Sequence, residues 1–445
     1  MPPIIKKLFI WGNLGLVLFL IASVARDESR EWKKYQKKFF ELEAQELQTK
    51  LASSADEEEK HSLEKQIRAK KKAGLEVRQM IVGDLNRIDR CITCHVGMDP
   101  LSNPALETPF KENPYRGHPG DFLKTHAPNK YGCTVCHQGQ GLATTVKDAH
   151  GFVKHWEEPL LKPPFIQASC AKCHANFENI PYAQTAKLGK ELFTKNGCYG
   201  CHAIKGWGGI ISEDLGEIAS KPLSRALAGL DLSKTKLSED QMNIQTYIML
   251  HLTKDPMELV PGDPLGHMGD PISPSGMPPF YLELKEDEAK AIATYLMSMA
   301  SEKMPHDYYV YAPPKPEPSF DSPAERGKYV YQKYGCAACH GVEAKDGHRN
   351  FNAQGPGQDP NAEDQIAQMA KGKEPNLRET AGTFTREELR VKIQNGVPST
   401  DIVKFKADGP TPPLYMPAWK DKIKGQELED LITYLLSIAK KGEEW

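Results

Sequence analysis

The chain has no excess of charge of either sign: 57 Lys and Arg stand against 59 Asp and Glu, a formal −2 over 445 residues. That balance leaves out the basic footprint by which proteins hold nucleic acid, so no nucleic-acid partner is expected. No G-x-S-x-G elbow, P-loop or G-x-G-x-x-G turn occurs in a fitting context, which removes the commonest nucleophile and phosphate-binding chemistries. Residues 27–79 have no proline and a single glycine, Gly74, so the usual helix breakers are missing there. Residues 8–25 carry no charge at all. No cysteine is spare either, because all ten belong to one repeated unit.

That unit is C-x-x-C-H, formed by Cys91, Cys94 and His95, by Cys133, Cys136 and His137, by Cys170, Cys173 and His174, by Cys198, Cys201 and His202, and by Cys336, Cys339 and His340. It is the attachment signature of c-type haem, in which two thiols bond to the porphyrin and the histidine ligates the iron. Near-helical backbone would set both sulfurs on one face and place the imidazole beneath the ring. A zinc site needs no histidine fixed after the second cysteine. A redox dithiol would occur once, in a βαβ unit, and disulfide staples are unnecessary in a chain long enough to build a core. The reading is five covalent haems, with iron held by His95, His137, His174, His202 and His340. Their propionates would make the loaded protein more acidic than its sequence.

Covalent haem implies a compartment outside the cytoplasmic membrane, and hence export. The uncharged run "LFIWGNLGLVLFLIASVA" follows Lys6 and Lys7. Its "SVA" before Arg26 resembles a leader cleavage site, and its length is at the short end for crossing about 30 Å of hydrocarbon. We read residues 1–26 as a single transmembrane anchor with Trp11 near one interface. Arg26, Arg30, Lys33, Lys34, Lys37 and Lys38 outnumber the two preceding lysines, which by charge alone would put the bulk inside. Haem attachment outweighs that statistical rule, so the haem domains are expected on the periplasmic face of the cytoplasmic membrane.

Residues 27–79 read as a charged helical stalk with a thin apolar stripe (Phe39, Phe40, Leu42, Leu47, Leu51, Leu63), either solvated or docked on a partner helix. "SSADEEEK" marks a break between two helices, with Ser54 or Asp56 as cap. Residues 80–182 read as a loop-rich tri-haem domain, since its first cysteines are only 37 to 42 positions apart and the haems must wall one another in. His118, His126 and His150 are its expected sixth ligands, with His155 as substitute; Met98 is too close to His95 to reach the far side.

Residues 183–301 and 322–445 repeat one plan. Each opens with a helix ("AKLGKELFTKNGCYGCH", "ERGKYVYQKYGCAACH"), has a late Met-Pro loop ("SGMPPF", "PLYMPAW") and closes with an amphipathic helix ("KEDEAKAIATYLMSM", "KGQELEDLITYLLSI"). Met277 follows His202 by 75 positions and Met416 follows His340 by 76. Residues 302–321, "MPHDYYVYAPPKPEPSFDSP" in the main, read as a proline-stiffened linker that spaces the two domains. "FKADGPTPPL" and "GPGQDPNAED" read as loops over haem edges, with calcium loops as a rival that their acidic spacing does not favour. Thr385 and Glu388 fit a capping box.

Both halves resemble the single-haem cytochrome c fold, with Gly189 and Gly327 in first helices and Tyr295 and Tyr434 in last helices, where that family crosses glycine against aromatic. The resemblance makes Met277 and Met416 sixth iron ligands, with His267 or Met268 as rivals for the fourth haem. The expected class is thus mainly α: an anchor, a stalk, a tri-haem domain and two tandem cytochrome c domains. Methionine ligation raises haem potential relative to a second histidine, so electrons should run from the His/His cluster outward.

The whole chain resembles the membrane-bound multihaem cytochrome c subunits of bacterial bc-type quinol oxidoreductases, through "REWKKYQKKF", "GCTVCHQGQGLATT" and the cytochrome c pair. That resemblance implies a cytochrome b-like membrane partner as donor and a soluble cytochrome or oxidase as acceptor. The alternatives are a terminal-oxidase subunit, a free-standing carrier, a multihaem reductase or peroxidase, and a filament-forming cytochrome. An oxidase subunit would lack the tri-haem stretch, and an enzyme would need an open sixth position, whereas all five units end in histidine.

Overall fold

The computed structural model describes residues 2–101, 103–154, 156–227, 230, 236–238, 241–260, 277–278, 280–310, 318–345, 376–396 and 416–440. Regular structure there is helical apart from one two-stranded sheet, and the chain divides into two compact units, residues 1–161 and 162–445.

The first unit begins with α1 (Pro3–Glu28), whose 26 residues rise about 39 Å at helical pitch. All of its residues are exposed, and its mean hydropathy reaches 2.2 over an 18-residue window. By length and composition it is able to cross a membrane; a signal sequence meets the same test. Helices α2 (Glu31–Ser53) and α3 (Glu57–Lys71) form a hairpin. Asp56 is the cap of α3, accepting from the Glu58 N–H at 2.9 Å, while Ser54 closes α2.

The stalk is neither a solvated rod nor a helix waiting for a partner. α2 buries Trp32, Gln36, Phe39, Phe40 and Ala44 in its own unit. The Gln36 side chain donates to the carbonyls of Glu76 at 2.7 Å and Thr93 at 2.9 Å, and accepts from the Glu76 N–H at 3.1 Å. A wholly buried amide that meets two strands of loop backbone ties α2 to the first C-x-x-C-H unit. Phe39 and Phe40 pack on Val96, just after His95, with Phe110 edge-on to Phe39 at 5.7 Å.

Strands β1 (Met80–Val82) and β2 (Arg87–Asp89) pair antiparallel with Met80 opposite Asp89, around a turn in which Asn86 takes a left-handed conformation. Asp89 ends β2 with 1 % of its surface exposed. Its carboxylate accepts from the Cys133 N–H, from the Thr134 N–H at 3.0 Å and from the Thr134 hydroxyl at 2.8 Å. A side chain at Gly132 would collide with that carboxylate, and its φ of +68° also favours glycine.

In the second unit the two repeats share one scaffold. α4 (Gln184–Lys195) crosses α6 (Glu286–Met297), and α7 (Pro323–Lys333) crosses α9 (Gly425–Ile438). Between them in sequence lie α5 (Ile244–Thr253) and α8 (Arg386–Asn395), the latter opened by the Thr385/Glu388 capping box. Each crossing is set by a glycine. A Cβ at Gly189 would strike the Ala291 carbonyl and lie 2.9 Å from Tyr295 Cβ; one at Gly327 would strike the Asp430 carbonyl and lie 2.7 Å from Tyr434 Cβ. Beside each crossing an aromatic pair meets, Phe193 with Tyr295 at 5.7 Å and Tyr331 with Tyr434 at 5.5 Å.

Two sequence expectations change here. The linker does not hold the repeats apart: Met304 and Tyr308 are buried, and the Val310 N–H donates to the Cys173 carbonyl at 2.8 Å. The repeats touch, with Trp207 edge-on to Tyr329 at 5.3 Å and the Gly208 N–H donating to the Lys333 carbonyl at 2.8 Å. Proline stiffens a chain without dictating its length or path, and buried aromatic surface draws 302–310 back. Residues 311–317 lie outside the described residues. The third C-x-x-C-H unit also packs with the first repeat. Gln167, just before it, accepts from the Thr185 N–H at 2.8 Å, and Lys172 pairs with Glu302 at 2.7 Å.

Replacing Gly327 by Ala should separate α7 from α9 and cost about 3 kcal/mol, the upper range for overpacking, read as a lower thermal midpoint of the second unit. Asp89→Ala should cost about 3 kcal/mol by orphaning buried donors, with faster hydrogen exchange at the Cys133 and Thr134 amides; unchanged exchange there would remove Asp89 as the support of that turn.

Candidate haem centres

All five C-x-x-C-H units fold as one turn of helix. The histidine N–H donates to the carbonyl of the first cysteine at 2.9 Å in His95, 3.0 Å in His137, 2.9 Å in His174 and 3.0 Å in His202, and Cys336–His340 is a short α-helix. Three turns are entered through glycine with positive φ: Gly132 at 68°, Gly197 at 70° and Gly335 at 75°. Side chains three positions apart on such a turn share a face, with the imidazole on the same side.

The cysteines expected to hold haem are Cys91 with Cys94, Cys133 with Cys136, Cys170 with Cys173, Cys198 with Cys201, and Cys336 with Cys339. All ten are half-buried, and no disulfide joins any of them. Burial pushes the Cys94 thiol up to about 11 and those of Cys198 and Cys336 up to about 12. Among the described residues no group of three or more His, Cys, Asp and Glu gathers as a zinc site would require.

Cys136 sits within its single helical turn, Thr134–His137, with Cys133 at the cap. The neighbouring Cys91 side chain and burial push the Cys133 thiol well above the ordinary thiol range. The carboxylate of Asp89, two residues before Cys91, accepts from the Cys133 and Thr134 amides and so ties the second turn to the first. Spacing fixes how Cys133 and Cys136 stand within one turn and says nothing of a neighbouring turn. The first two turns thus meet at Cys91 and Cys133.

Three of the turn histidines are kept neutral. Burial pulls His95 and His137 down to about 4 and also lowers His202, so each presents a lone pair at neutral pH. His95 Nδ1 is buried without a hydrogen-bond partner, whereas His202 Nδ1 lies 2.8 Å from the Glu213 carbonyl. Two thiols and an imidazole on one helical turn, with a buried His95 nitrogen that has no protein partner, fit a covalently held haem.

The structure brings some expected sixth ligands to these turns. The His118 and His137 rings have centroids 6.0 Å apart at 73°. Two imidazoles on opposite sides of one ion, each bonded at about 2 Å, would stand at about that separation. His118 Nδ1 lies 3.0 Å from the Pro119 carbonyl, the outer contact that orients a ligating imidazole. His150 is near enough to His95 for its charge to add to the effect of burial there. His126 is tied to its own short helix through the Phe122 carbonyl at 3.2 Å and Thr125 at 3.0 Å, with Tyr131 edge-on at 5.3 Å. His155 lies outside the described residues, as do His267, Met268 and both proposed edge loops.

Met416 packs on the core that also takes in Cys336 and Tyr334, beside the end of α8, where its carbonyl faces Gly396. Met277 is half-buried, and residues 261–276 and 279 around it lie outside the described residues. Sequence reasoning passed over His251 on α5, a neighbour of His202. It also passed over Met304 and His306, which lie in the segment docked beside Cys173. Comparing the two repeats position by position would have singled out His251.

The fourth and fifth turns meet each other. A Cβ at Gly200 would lie 2.6 Å from Ala338 Cβ and 3.4 Å from Cys339 Sγ, and one at Gly335 would lie 2.6 Å from the Tyr199 carbonyl. Only small residues allow two attachment turns to stand so close.

Residues 186–300 and 324–439, together more than half of the chain, match the cytochrome c family model. No curated protein and no solved structure matches the chain. Each matched stretch holds one glycine-set helix crossing and one C-x-x-C-H turn, and the chain belongs to the cytochrome c family, whose domains carry covalent c-type haem and use it to transfer electrons.

Proposed function

We propose that this chain is a membrane-anchored pentahaem cytochrome c that carries electrons from a quinol-oxidising, cytochrome b-containing complex to a periplasmic acceptor. Bound haem would supply the one-electron chemistry; the residues supply attachment, ligands and spacing. The observation that carries the reading is the recurrence of one backbone turn at all five C-x-x-C-H units, two of them in cytochrome c repeats and three outside those repeats. The ten cysteines are then thioether donors, and His95, His137, His174, His202 and His340 are iron ligands.

His118 serves opposite His137 and His150 opposite His95, which makes these two centres His/His; His126 and His155 remain candidates for a further sixth ligand. Met416 serves opposite His340. Histidine pairs near the start and methionine at the end set a rising potential along the chain. The meeting of the first and second turns at Cys91 and Cys133, and of the fourth and fifth at Gly200 and Ala338, supports passage from centre to centre. Helix α1 supports anchoring: it runs unbroken through the Ala25–Arg26 junction and exposes its apolar surface on every side. One such helix cannot frame a quinol site by itself, so quinol oxidation falls to the partner. The acceptor is a soluble cytochrome or an oxidase.

Extraction in mild detergent, a pyridine haemochrome spectrum and a quinol-to-cytochrome assay on the intact particle test the proposal. Copurifying b-type haem and quinol-driven reduction of the c-type haems are expected. Only c-type haem with no quinol activity would overturn it in favour of an oxidase-linked or free-standing carrier. Met416→His should lower one haem potential by on the order of 0.1 V, part of the roughly 0.8 V that axial ligands command; an unchanged redox titration removes Met416 as ligand.

A further inference from the structure

The two cytochrome c repeats agree element by element, and one position stands apart. In the second repeat, counting eight residues from the N-cap Thr385 reaches Ile393, which is 4 % exposed in a core with Leu389, Tyr334 and Trp419. In the first repeat, the same count from the N-cap Asn243 of α5 reaches His251. Packing at this point is met by an aliphatic side chain in one copy, so it does not by itself require an imidazole in the other.

The ring of His251 is held in a defined orientation. Its Nδ1 lies 2.9 Å from the Tyr247 carbonyl, and its centroid is 4.5 Å from the Tyr247 ring. A carbonyl only accepts, so Nδ1 carries the proton and Nε2 keeps its lone pair. His202 is held the same way, Nδ1 to the Glu213 carbonyl at 2.8 Å. This pattern, one ring nitrogen donating to a carbonyl and the other left open, is that of metal-ligating histidines.

A continuous set of contacts joins the two rings. The carboxylate of Glu213 takes Lys221 at 2.6 Å, and the Lys221 ammonium stands 5.7 Å from the centre of the Tyr247 ring, one turn before His251. The His202 ring is near enough for its charge to act on His251.

We propose that His251 is the sixth ligand of the haem held by Cys198, Cys201 and His202, which makes the first cytochrome c repeat His/His-ligated and leaves Met277 outside the coordination sphere. The assignment rests on the reading that Cys198–His202 carries haem. It moves the step up in potential to the junction of the two repeats, where Gly200 faces Ala338, with Met416 as the methionine ligand of the pair.

The test uses the full-length protein and three readouts: haem per chain by pyridine haemochrome, the near-infrared methionine-to-iron charge-transfer band of the oxidised protein, and carbon monoxide binding by the reduced protein. The expected band corresponds to one methionine-ligated haem per chain, is abolished by Met416→Leu and is untouched by Met277→Leu. His251→Leu should keep the haem content and either open one haem to carbon monoxide or convert it to methionine ligation, doubling the band. A wild-type band worth two haems that Met277→Leu halves would overturn the proposal, even if His251→Leu does not fold. So would a His251→Leu protein with an unchanged band and no carbon monoxide binding. Failure of the underlying reading looks different: a Cys198–His202 peptide recovered without haem, whatever the band shows.

Discussion

One local bond organises this chain, the donation from the histidine N–H of a C-x-x-C-H unit to the carbonyl of the first cysteine four residues earlier, seen in the first four units, with the fifth a short α-helix of the same span. It closes a single helical turn, and closing it fixes where two sulfurs and one imidazole point. A lone turn is unstable in water, since nucleating a helix costs more than one bond returns. Each turn therefore needs support from outside, and much of the surrounding fold provides it. Asp89 supports the second turn, Gln36 and Thr93 brace the first, and the Cys173 to Val310 bond braces the third.

The tandem repeats solve the same problem through helix crossing. With no side chain at Gly189 or Gly327, the first and last helices of each repeat close to backbone contact, and the aromatic pairs beside them fill the angle. That crossing presents the following turn, entered through Gly197 or Gly335, at the edge of the repeat. Once two such edges exist, small residues at Gly200 and Ala338 let them meet. A chain of electron-carrying groups gains from this, because transfer depends on how closely neighbouring groups approach.

The repeats also differ at one shared position. A shared scaffold carries an aliphatic residue at Ile393 and a histidine at His251, two side chains that fill similar space with opposite capacities for ligation. On the proposal that His251 is a ligand, changing one position of a duplicated fold yields two centres of different potential within one architecture.

The sequence alone determined the elements whose cause is local. The five turns follow from residue spacing, the long charged helices from composition, and the glycine-aromatic crossings from a repeat with matching positions; the capping box at Thr385 and Glu388 is equally local. His118 and His150 were legible as candidates because they stand outside the C-x-x-C-H units, but which histidine each one meets was not. Only the tertiary structure decided that α2 is buried through Gln36, that Cys133 lies by Cys91, that 302–310 folds back on the third turn, and that His251 lies by His202. These depend on contacts between residues far apart in the chain, where the preference of any single residue is weak and the gain from burying apolar and amide groups together settles the path.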